Sequence, residues 1–552
     1  MGLKKVDAVV VGAGAGGGIV AKELSQAGLS VVLLERGDWI GFEKHDHDEL
    51  INQRTTALGV AFGPDERHPR VVESSPGQWR VVRPSDGFSY GNNAACVGSG
   101  TVSYGAMGWR FMEQDFAMRS TYGALDGSTL EDWPMRYADL EPFYEKAEYE
   151  IGVSGDMTTN PFSPPRRRPY PMPPFAYNRE GRVLESAAKR LGWHPFPIPM
   201  LRNSVSFGGR NACIACRYCV GFACEINAKN GTHNTAIPAA LATKNCELRT
   251  NTIAAEVVVD DRGRARGVRY FDAYDREHFQ PADLVIVSGG AIETARLLLN
   301  SKSKLFPHGA GNRHDLVGRN LLDHAYSGAW GLFAEEVYDD VGSGATVALC
   351  DFNHGQPGLR GGAVLANEFI RLPFNFSGTR PPGAAAWGKA HKEFQRRFYK
   401  RSAAVLGPVQ EMPTFDRRVQ VDPEVRDHWG IPVARLALAP RHPHTVELCR
   451  HIAAKAEDWL KAAGAVQTWQ RVPGGNTSGA GTHQAGTCRM GNDPQSSVTN
   501  RHGQLHEIDN LFIADGSLHV TNGGFNPALT IMALGFWVGD YIKRNWKGGQ
   551  LR

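Results

Sequence analysis

The glycine-rich segment near the N-terminus constrains the fold more than any other part of the chain. An apolar strand is predicted over Val6–Val11, and it leads directly into a G-x-G-x-x-G pattern, Gly12-Ala13-Gly14-Ala15-Gly16-Gly17. Helical spacing follows over 19–28, and a second apolar strand over 30–34 ends at Glu35. In such a unit the glycines let a pyrophosphate lie against the helix N-terminus, and the acid accepts hydrogen bonds from a ribose. The pattern therefore predicts dinucleotide binding, without separating FAD from NAD.

Length and charge exclude several other classes of protein. The chain has 552 residues, enough for several domain-sized units and a large core. Lys+Arg less Asp+Glu is 61 − 57 = +4, which is too balanced for a general nucleic-acid binder. No apolar run approaches the ~18 residues of a membrane-spanning helix. The first residues mimic a signal peptide, but the glycines interrupt the apolar run, so we interpret them as a strand and a loop.

The C-terminal region contains a second set of cofactor signals. Asp515 follows a short apolar strand and precedes Gly516. A helix is predicted to begin near Pro527, since proline suits the first turn of a helix. Its positive N-terminus is placed to face an electron-rich ring system.

Four of the nine cysteines lie within twelve residues, in the pattern C-x2-C-x2-C-x4-C, and they are Cys213, Cys216, Cys219 and Cys224. This spacing is close to the ferredoxin run C-x2-C-x2-C-x3-C and favours an iron–sulfur cluster. The alternatives are a structural zinc ion, two disulfides in an exported protein, or free thiols.

Motifs spread along the whole chain resemble the glucose–methanol–choline (GMC) family of flavin-dependent oxidoreductases. They are the Gly12–Glu35 unit, Val97-Gly98-Ser99-Gly100-Thr101, residues 285–294, Val317-Gly318-Arg319-Asn320-Leu321-Leu322-Asp323-His324, Ala514-Asp515-Gly516-Ser517 and Asn526-Pro527-Ala528-Leu529-Thr530. Within the family the chain is similar to the flavoprotein large subunits of bacterial sugar dehydrogenases, of the gluconate 2-dehydrogenase, glucoside 3-dehydrogenase and FAD glucose dehydrogenase types. The resemblance implies an α/β fold, with a Rossmann-like FAD-binding domain and a second α+β substrate domain built on an antiparallel sheet.

The resemblance also implies which residues contact FAD. Some relatives bind the flavin covalently through a histidine at the position of Ser103, so FAD is expected to be non-covalent here. The expected cofactor-binding residues are Gly12, Gly14, Gly17, Glu35, Arg36, Gly98, Ser99, Thr101, Val257, Gly290, Asp515, Asn526 and Pro527.

The expected catalytic pair is His483 and Asn526. His483 lies in a glycine-rich loop, and Asn526 follows it by 526 − 483 = 43 positions, which matches the family's spacing. Hydride transfer from a carbinol carbon to flavin N5 requires the hydroxyl to lose its proton, and neutral imidazole suits that task near pH 7. Asn526 is expected to orient the same oxygen.

The resemblance implies domain bounds and substrate residues as well. Residues 1–324 would form mainly the FAD-binding domain, with the cysteine segment at 205–232, while 325–475 would form mainly the substrate domain, and 476–552 would return to the FAD-binding domain. Short apolar runs over 329–334, 363–366 and 403–406 suit strands of the antiparallel sheet. Gln410 and Glu411 are expected to contact the substrate.

The function predicted is oxidation of a sugar, glycoside or sugar-acid hydroxyl by an FAD-dependent dehydrogenase. Some related large subunits hold a three-iron cluster through three cysteines, whose spacing Cys213, Cys219 and Cys224 resemble best, and either a 3Fe-4S or a 4Fe-4S cluster is expected. Electrons would pass to cytochrome c or quinone, and a small partner subunit carrying the export signal would place the chain in the periplasm. The alternative location is the cytoplasm. The alternative is an FAD-dependent oxidase that uses O2, with structural cysteines.

Overall fold

A computed structural model describes residues 3–52, 62–91, 93–368, 372–476 and 481–551. Its strands are β1 Val6–Val11, β2 Val31–Leu34, β3 Arg70–Ser75, β4 Gln78–Val82, β5 Phe196–Pro197, β6 Cys246–Arg249, β7 Ile253–Val259, β8 Ala265–Phe271, β9 Glu277–Val287, β10 Ala325–Leu332, β11 Val347–Leu349, β12 Leu365–Asn367, β13 Ser402–Val409, β14 Arg418–Arg426, β15 Pro432–Ala437, β16 Gln467–Arg471 and β17 Leu511–Ile513. Its α-helices are α1 Gly17–Gln26, α2 Gly100–Ser103, α3 Met118–Tyr122, α4 Tyr137–Ala147, α5 Arg179–Arg190, α6 Ala236–Ala242, α7 Ala291–Asn300, α8 Pro373–Ser377, α9 Gly388–Phe398, α10 Pro443–Ala462 and α11 Ala528–Lys547.

The first sheet places the glycine-rich loop in the middle of the molecule. Its order is β6-β2-β1-β9-β8-β7, and β17 also pairs with β9. The β1, β2, β6 and β17 pairings are parallel, whereas β8 pairs antiparallel with both β7 and β9. The parallel strands are almost wholly apolar and buried, as is typical of a sheet covered on both faces. Loops at the carboxyl ends of β1, β9 and β17 therefore meet at one edge, which is where ligands bind in such sheets.

The second sheet is antiparallel and has the order β16-β10-β13-β12-β11-β5. Helices α5 and α10 pack against it, and Trp459 of α10 is fully buried and donates to the Leu184 carbonyl at 2.8 Å. A third sheet, of order β14-β15-β3-β4, joins residues 418–437 to residues 70–82.

The predicted fold class is confirmed by this architecture. The strands predicted over 6–11, over 30–34 and before Asp515 are β1, β2 and β17, and the helix expected after Pro527 is α11. The apolar runs over 329–334, 363–366 and 403–406 overlap β10, β12 and β13 of the antiparallel sheet. Among the residues that the structure describes, no helix combines the length and the apolar character needed to cross a membrane.

Candidate active site

One cavity of about 810 Å³ connects the glycine-rich loop to the predicted catalytic pair. Gly12, Gly14, His483 and Asn526 all line it. Its size lies in the range of cofactor pockets, about 300–1,000 Å³. The cavity therefore brings the nucleotide-binding loop and the expected reaction centre together, although some 470 residues separate them in the chain.

Gly14 and Gly16 have different roles in the loop after β1. A Cβ on Gly16 would lie 1.6 Å from the Ala514 carbonyl oxygen, so this glycine is required by the contact between α1 and the loop after β17. A Cβ on Gly14 would meet the Ser99 Cβ at 3.3 Å and would otherwise project into the cavity that Gly14 lines. Gly14 thus provides the close backbone approach that a pyrophosphate requires.

Two buried acids lie at the carboxyl ends of β2 and β17. Glu35 accepts from the backbone N–H groups of Ala13 at 2.8 Å and Gly37 at 3.0 Å, and burial raises its pKa. Burial also raises the pKa of Asp515, which accepts from the Gly290 N–H at 2.9 Å and the Thr294 hydroxyl at 2.6 Å. Asp515 thereby fixes the N-terminal turn of α7 against the loop after β17.

Most of the predicted cofactor-binding residues lie together in the cavity wall, and they are Gly12, Gly14, Glu35, Arg36, Ser99, Thr101, Gly290, Asp515, Asn526 and Pro527. Gly17, Gly98 and Val257 are not part of that wall. The Val257 backbone N–H donates to Ser301 Oγ at 2.8 Å, and residues 252–255, at the start of β7, line the cavity instead. Val257 thus lies a few residues beyond the part of the strand that reaches the cavity.

The wall fits FAD on three observations. Gly14 leaves room for a phosphate, Glu35 lies where a ribose hydroxyl is expected, and α11 begins at the cavity with Ala528 in its wall. The N-terminus of a 20-residue helix presents partial positive charge to a ring placed there. Ser103 is fully buried and does not line the cavity, so its placement does not favour a covalent link to the flavin.

The His483 and Asn526 side chains meet in the wall of the cavity. Asn526 Nδ2 lies 3.5 Å from His483 Nε2 and donates to the Tyr326 hydroxyl at 2.8 Å. The Trp109 indole N–H donates to Asn526 Oδ1 at 3.1 Å. Because an indole nitrogen can only donate, this contact fixes which end of the amide faces the imidazole. Asn526 therefore presents its N–H groups, and not its oxygen, towards His483.

His324 determines the tautomer of His483. His324 Nε2 lies 2.8 Å from the Gly523 carbonyl oxygen and must donate to it, so in the neutral ring Nδ1 carries the lone pair. That Nδ1 lies 2.9 Å from His483 Nδ1, which therefore carries the proton. Burial lowers the pKa of His324 and keeps its ring neutral. His483 Nε2 is left as an acceptor beside Asn526, which is the form that a general base requires.

Glu411 and Gln410 are buried but do not line the cavity, so the expected direct substrate contact does not fit their placement. Glu411 forms an ion pair with Arg441 and accepts from the Asp323 backbone N–H at 2.8 Å. Although burial opposes it, the charges of Arg417 and Arg441 lower the pKa of Glu411 to about 2. Arg441, which the sequence reasoning missed, is the residue that reaches the cavity.

The cysteine segment has anion-stabilising features without a formed metal site. Cys213 Sγ accepts from the Ala215 N–H at 3.3 Å, and Cys219 Sγ accepts from Arg202 Nη1 at 3.4 Å. Burial raises the pKa of Cys213 and Cys216. No three His, Cys, Asp or Glu side chains within the described ranges are grouped to hold a metal ion, and all nine cysteines there are free thiols. The two disulfides considered above are therefore absent from this structure.

Comparison with known proteins agrees with this geometry. Family models described as GMC oxidoreductase match residues 170–326 and 413–535, and an NAD(P)-binding Rossmann-like model matches residues 10–68. A 2-methyl-1,2-propanediol dehydrogenase of Mycolicibacterium austroafricanum is 31% identical, over 98% of this chain and 96% of the relative. This chain is a GMC oxidoreductase. It is an FAD-dependent enzyme that acts on CH–OH donors.

Other GMC relatives include sugar dehydrogenases. The gluconate 2-dehydrogenase flavoprotein of Pantoea cypripedii is 28% identical, over 99% of this chain and 94% of the relative. The fructose dehydrogenase large subunit of Gluconobacter japonicus is 27% identical, over 98% of each chain. An FAD-dependent oxidoreductase of Chaetomium thermophilum shares the fold, with a TM-score of 0.64 and 14% identity over 98% of this chain and all of that one.

Proposed function

We propose that this GMC oxidoreductase is the flavoprotein of a dehydrogenase that oxidises a hydroxyl of a sugar, glycoside or sugar acid. The observation that carries the proposal is the single cavity that holds both the FAD-binding wall and the His483–Asn526 pair. The names of the gluconate and fructose dehydrogenase relatives support the substrate class.

His483 and Asn526 receive distinct roles in this proposal. The substrate hydroxyl is held between His483 Nε2 and Asn526 Nδ2, accepting from the amide and donating to the imidazole. His483 Nε2 takes the hydroxyl proton as the carbon–hydrogen bond breaks, and His324 stabilises the imidazolium by accepting from Nδ1. When bound, FAD supplies the acceptor for the hydride.

The test is anaerobic reduction of the purified holoenzyme with gluconate, glucose and methyl glucoside, followed by flavin absorbance. We expect one of these to bleach the flavin, and His483→Gln to slow bleaching by about 10²- to 10⁴-fold, the usual worth of a general base. The exposed His308→Gln is the matched control. Equal rates in both variants would refute the role of His483, and rapid peroxide formation in air would assign the enzyme to the oxidases.

An iron–sulfur cluster in the cysteine segment is a separate part of the proposal. Arg202 supports it, since this guanidinium is 2% exposed, stacks on Phe175 and donates to Cys219 Sγ. A buried cation is stabilised by a nearby anion, and the thiolates that bind a cluster would supply that negative charge. The described thiols are not grouped as metal ligands, and the proposed hydride transfer does not depend on them.

Iron and acid-labile sulfide per FAD, measured after anaerobic purification, test the cluster. We expect iron and sulfide in the wild type and their loss in Cys219→Ser, with retention in Cys449→Ser, a buried thiol on α10. A wild-type protein with FAD and no iron would leave the thiols structural.

The proposal also includes a small partner subunit, export to the periplasm and cytochrome c or quinone as electron acceptor. The relative named as a large subunit supports the partner. Affinity purification of the tagged chain from the periplasmic fraction of its source cells, followed by identification of any co-purified subunit, is the test. Recovery of the flavoprotein alone from the cytoplasm would contradict it.

A further inference from the structure

We propose that Arg441 binds a carboxylate of the substrate, which makes an anionic sugar acid the preferred donor. The inference rests on the proposed function, because it concerns the same cavity. It assigns recognition to a residue that the sequence patterns did not indicate.

Arg441 is held at the cavity wall by both its backbone and its side chain. Its backbone N–H donates to the Gly475 carbonyl at 2.8 Å, and its Nε pairs with Glu411. The residue is 9% exposed, yet it lines the cavity together with Asp323 and His483. Its guanidinium is therefore fixed in place, and the surface that it retains faces the cavity.

The two terminal nitrogens of Arg441 have no hydrogen-bond acceptor among the residues that the structure describes. They are also not among the fully enclosed polar atoms that lack a partner, so they remain accessible from the cavity. Their N–H groups can therefore donate to an acceptor that enters the cavity. A planar fork of N–H donors matches a carboxylate better than a single hydroxyl.

The charges around Arg441 favour an anion. Glu411 is ionised, with a pKa of about 2, and Arg417 lies close enough to contribute to that shift. Burial and the Glu411 charge raise the pKa of Asp323, which moves this carboxyl towards its neutral form. The Arg417 and Arg441 guanidinium groups therefore lie beside one strongly ionised carboxylate, Glu411, and a substrate carboxylate would add a second anion to this cluster.

The segment 481–483, which carries His483, connects this anion site to the reaction centre. Asp323 accepts from the Gly481 N–H at 2.5 Å, two residues before His483, and its chain neighbour His324 contacts His483 directly. A carboxylate on Arg441 would thus be held in the same cavity as His483.

Matched donors test the inference. We would measure dye-coupled kcat/KM for gluconate against glucitol and for glucuronate against glucose, since each pair differs by the carboxylate. The wild type is expected to prefer the acid of at least one pair. Arg441→Gln is expected to lower kcat/KM for that acid by about 10- to 100-fold, the worth of a charge-assisted hydrogen bond, and to change the neutral partner less than threefold. The exposed Arg450→Gln is the charge-matched control.

Two further variants control for misfolding, because Arg441→Gln leaves the Glu411 charge buried without its partner. The double variant Arg441→Gln/Glu411→Gln removes both charges, and Arg441→Lys keeps the charge without the planar fork. FAD content and thermal midpoint identify any variant that fails to fold. An equal loss for acid and neutral donors in folded variants, or a wild-type preference for both neutral donors, would overturn the inference.

Binding is measured separately with succinate, which carries carboxylates but no hydroxyl, and with succinamide as its neutral match. Succinate is expected to perturb the flavin spectrum of the wild type and not that of the double variant. Succinate binding without flavin reduction by any sugar would refute the proposed function and keep the anion site. Flavin reduction by sugars without Arg441-dependent succinate binding would support the proposed function and refute the anion site.

Discussion

His324 Nδ1 lies 2.9 Å from His483 Nδ1, while its Nε2 is committed to the Gly523 carbonyl at 2.8 Å. A backbone carbonyl can only accept, so the proton of neutral His324 is on Nε2, and the shared proton between the rings belongs to His483. The proposed base, His483, is therefore oriented by a second histidine rather than by a carboxylate. This arrangement has consequences for rate and for pH dependence.

Replacing His324 should lower the rate without removing the base. His324→Phe takes away the acceptor of the His483 Nδ1 proton, so either tautomer becomes accessible and the imidazolium loses a partner. We expect kcat/KM to fall by about 10- to 100-fold, from the ~1.5–3 kcal/mol of a hydrogen bond to a charged group. Steady-state kinetics with FAD content as control checks this, and an unchanged kcat/KM would show that the contact does not orient the base.

Activity should be lost as pH falls. Burial lowers the pKa of His324 below the usual value for histidine. Its ring is therefore neutral at pH 7 and stays neutral to a lower pH than that of an ordinary histidine. Protonation would put a second N–H opposite the His483 Nδ1 proton and break their contact. The kcat/KM profile of the wild type should therefore rise with pH and then reach a plateau, and the acid limb should change in His324→Phe. An identical profile in the two proteins would contradict the prediction.

Trp109 should influence turnover through Asn526 alone. Trp109→Phe keeps an aromatic ring but removes the donor to Asn526 Oδ1, which allows the amide to turn over. Loss of one neutral hydrogen bond, about 0.5–1.5 kcal/mol, predicts a decrease in kcat of roughly 2- to 12-fold. Trp469→Phe, on β16, is the control. Equal kinetics in the two variants would argue against this positioning role.

The two neighbouring glycines of the first loop should respond differently to alanine. Gly16→Ala places a Cβ 1.6 Å from a backbone oxygen, so we expect destabilisation at or beyond the ~1–3 kcal/mol of overpacked cores. Gly14→Ala meets only the Ser99 side chain at 3.3 Å, so the protein should fold but bind FAD more weakly. Apoprotein thermal midpoints and flavin-to-protein absorbance ratios separate the two effects. Equal loss of stability would contradict the assignment.

The Glu411 charge should make the fold sensitive to acid. Its pKa is about 2 in the folded chain against roughly 4.3 in an unfolded one, so its contribution to stability is complete above the unfolded value. That contribution is lost as pH falls through about 4 towards 2. The unfolding free energy of Glu411→Gln should therefore decline less steeply over this window than that of the wild type. Parallel declines in denaturant titrations would show that the Arg441 pair does not stabilise the fold.

Local sequence signals determined the nucleotide-binding half. The strand, glycine loop, helix and acid of residues 6–35 follow one another without a gap, so each element could be predicted from its own residues and from its neighbours. The C-terminal helix and His483 were accessible for the same reason, since a proline start and a glycine-rich loop are short motifs. The Cys213–Cys224 spacing was equally visible, but spacing alone does not fix which ligand a set of thiols holds.

Only the tertiary structure decided how the substrate half recognises and activates a donor. Trp109 donates to Asn526, which lies 417 positions away in the chain. Arg441 forms an ion pair with Glu411, and of these two residues only Arg441 lines the cavity. The two-residue strand β5 joins the antiparallel sheet with no periodic signal of its own. Such contacts depend on how sheets and loops pack against one another. A sequence pattern records what a residue can donate, accept or bury, whereas packing determines which partner it meets.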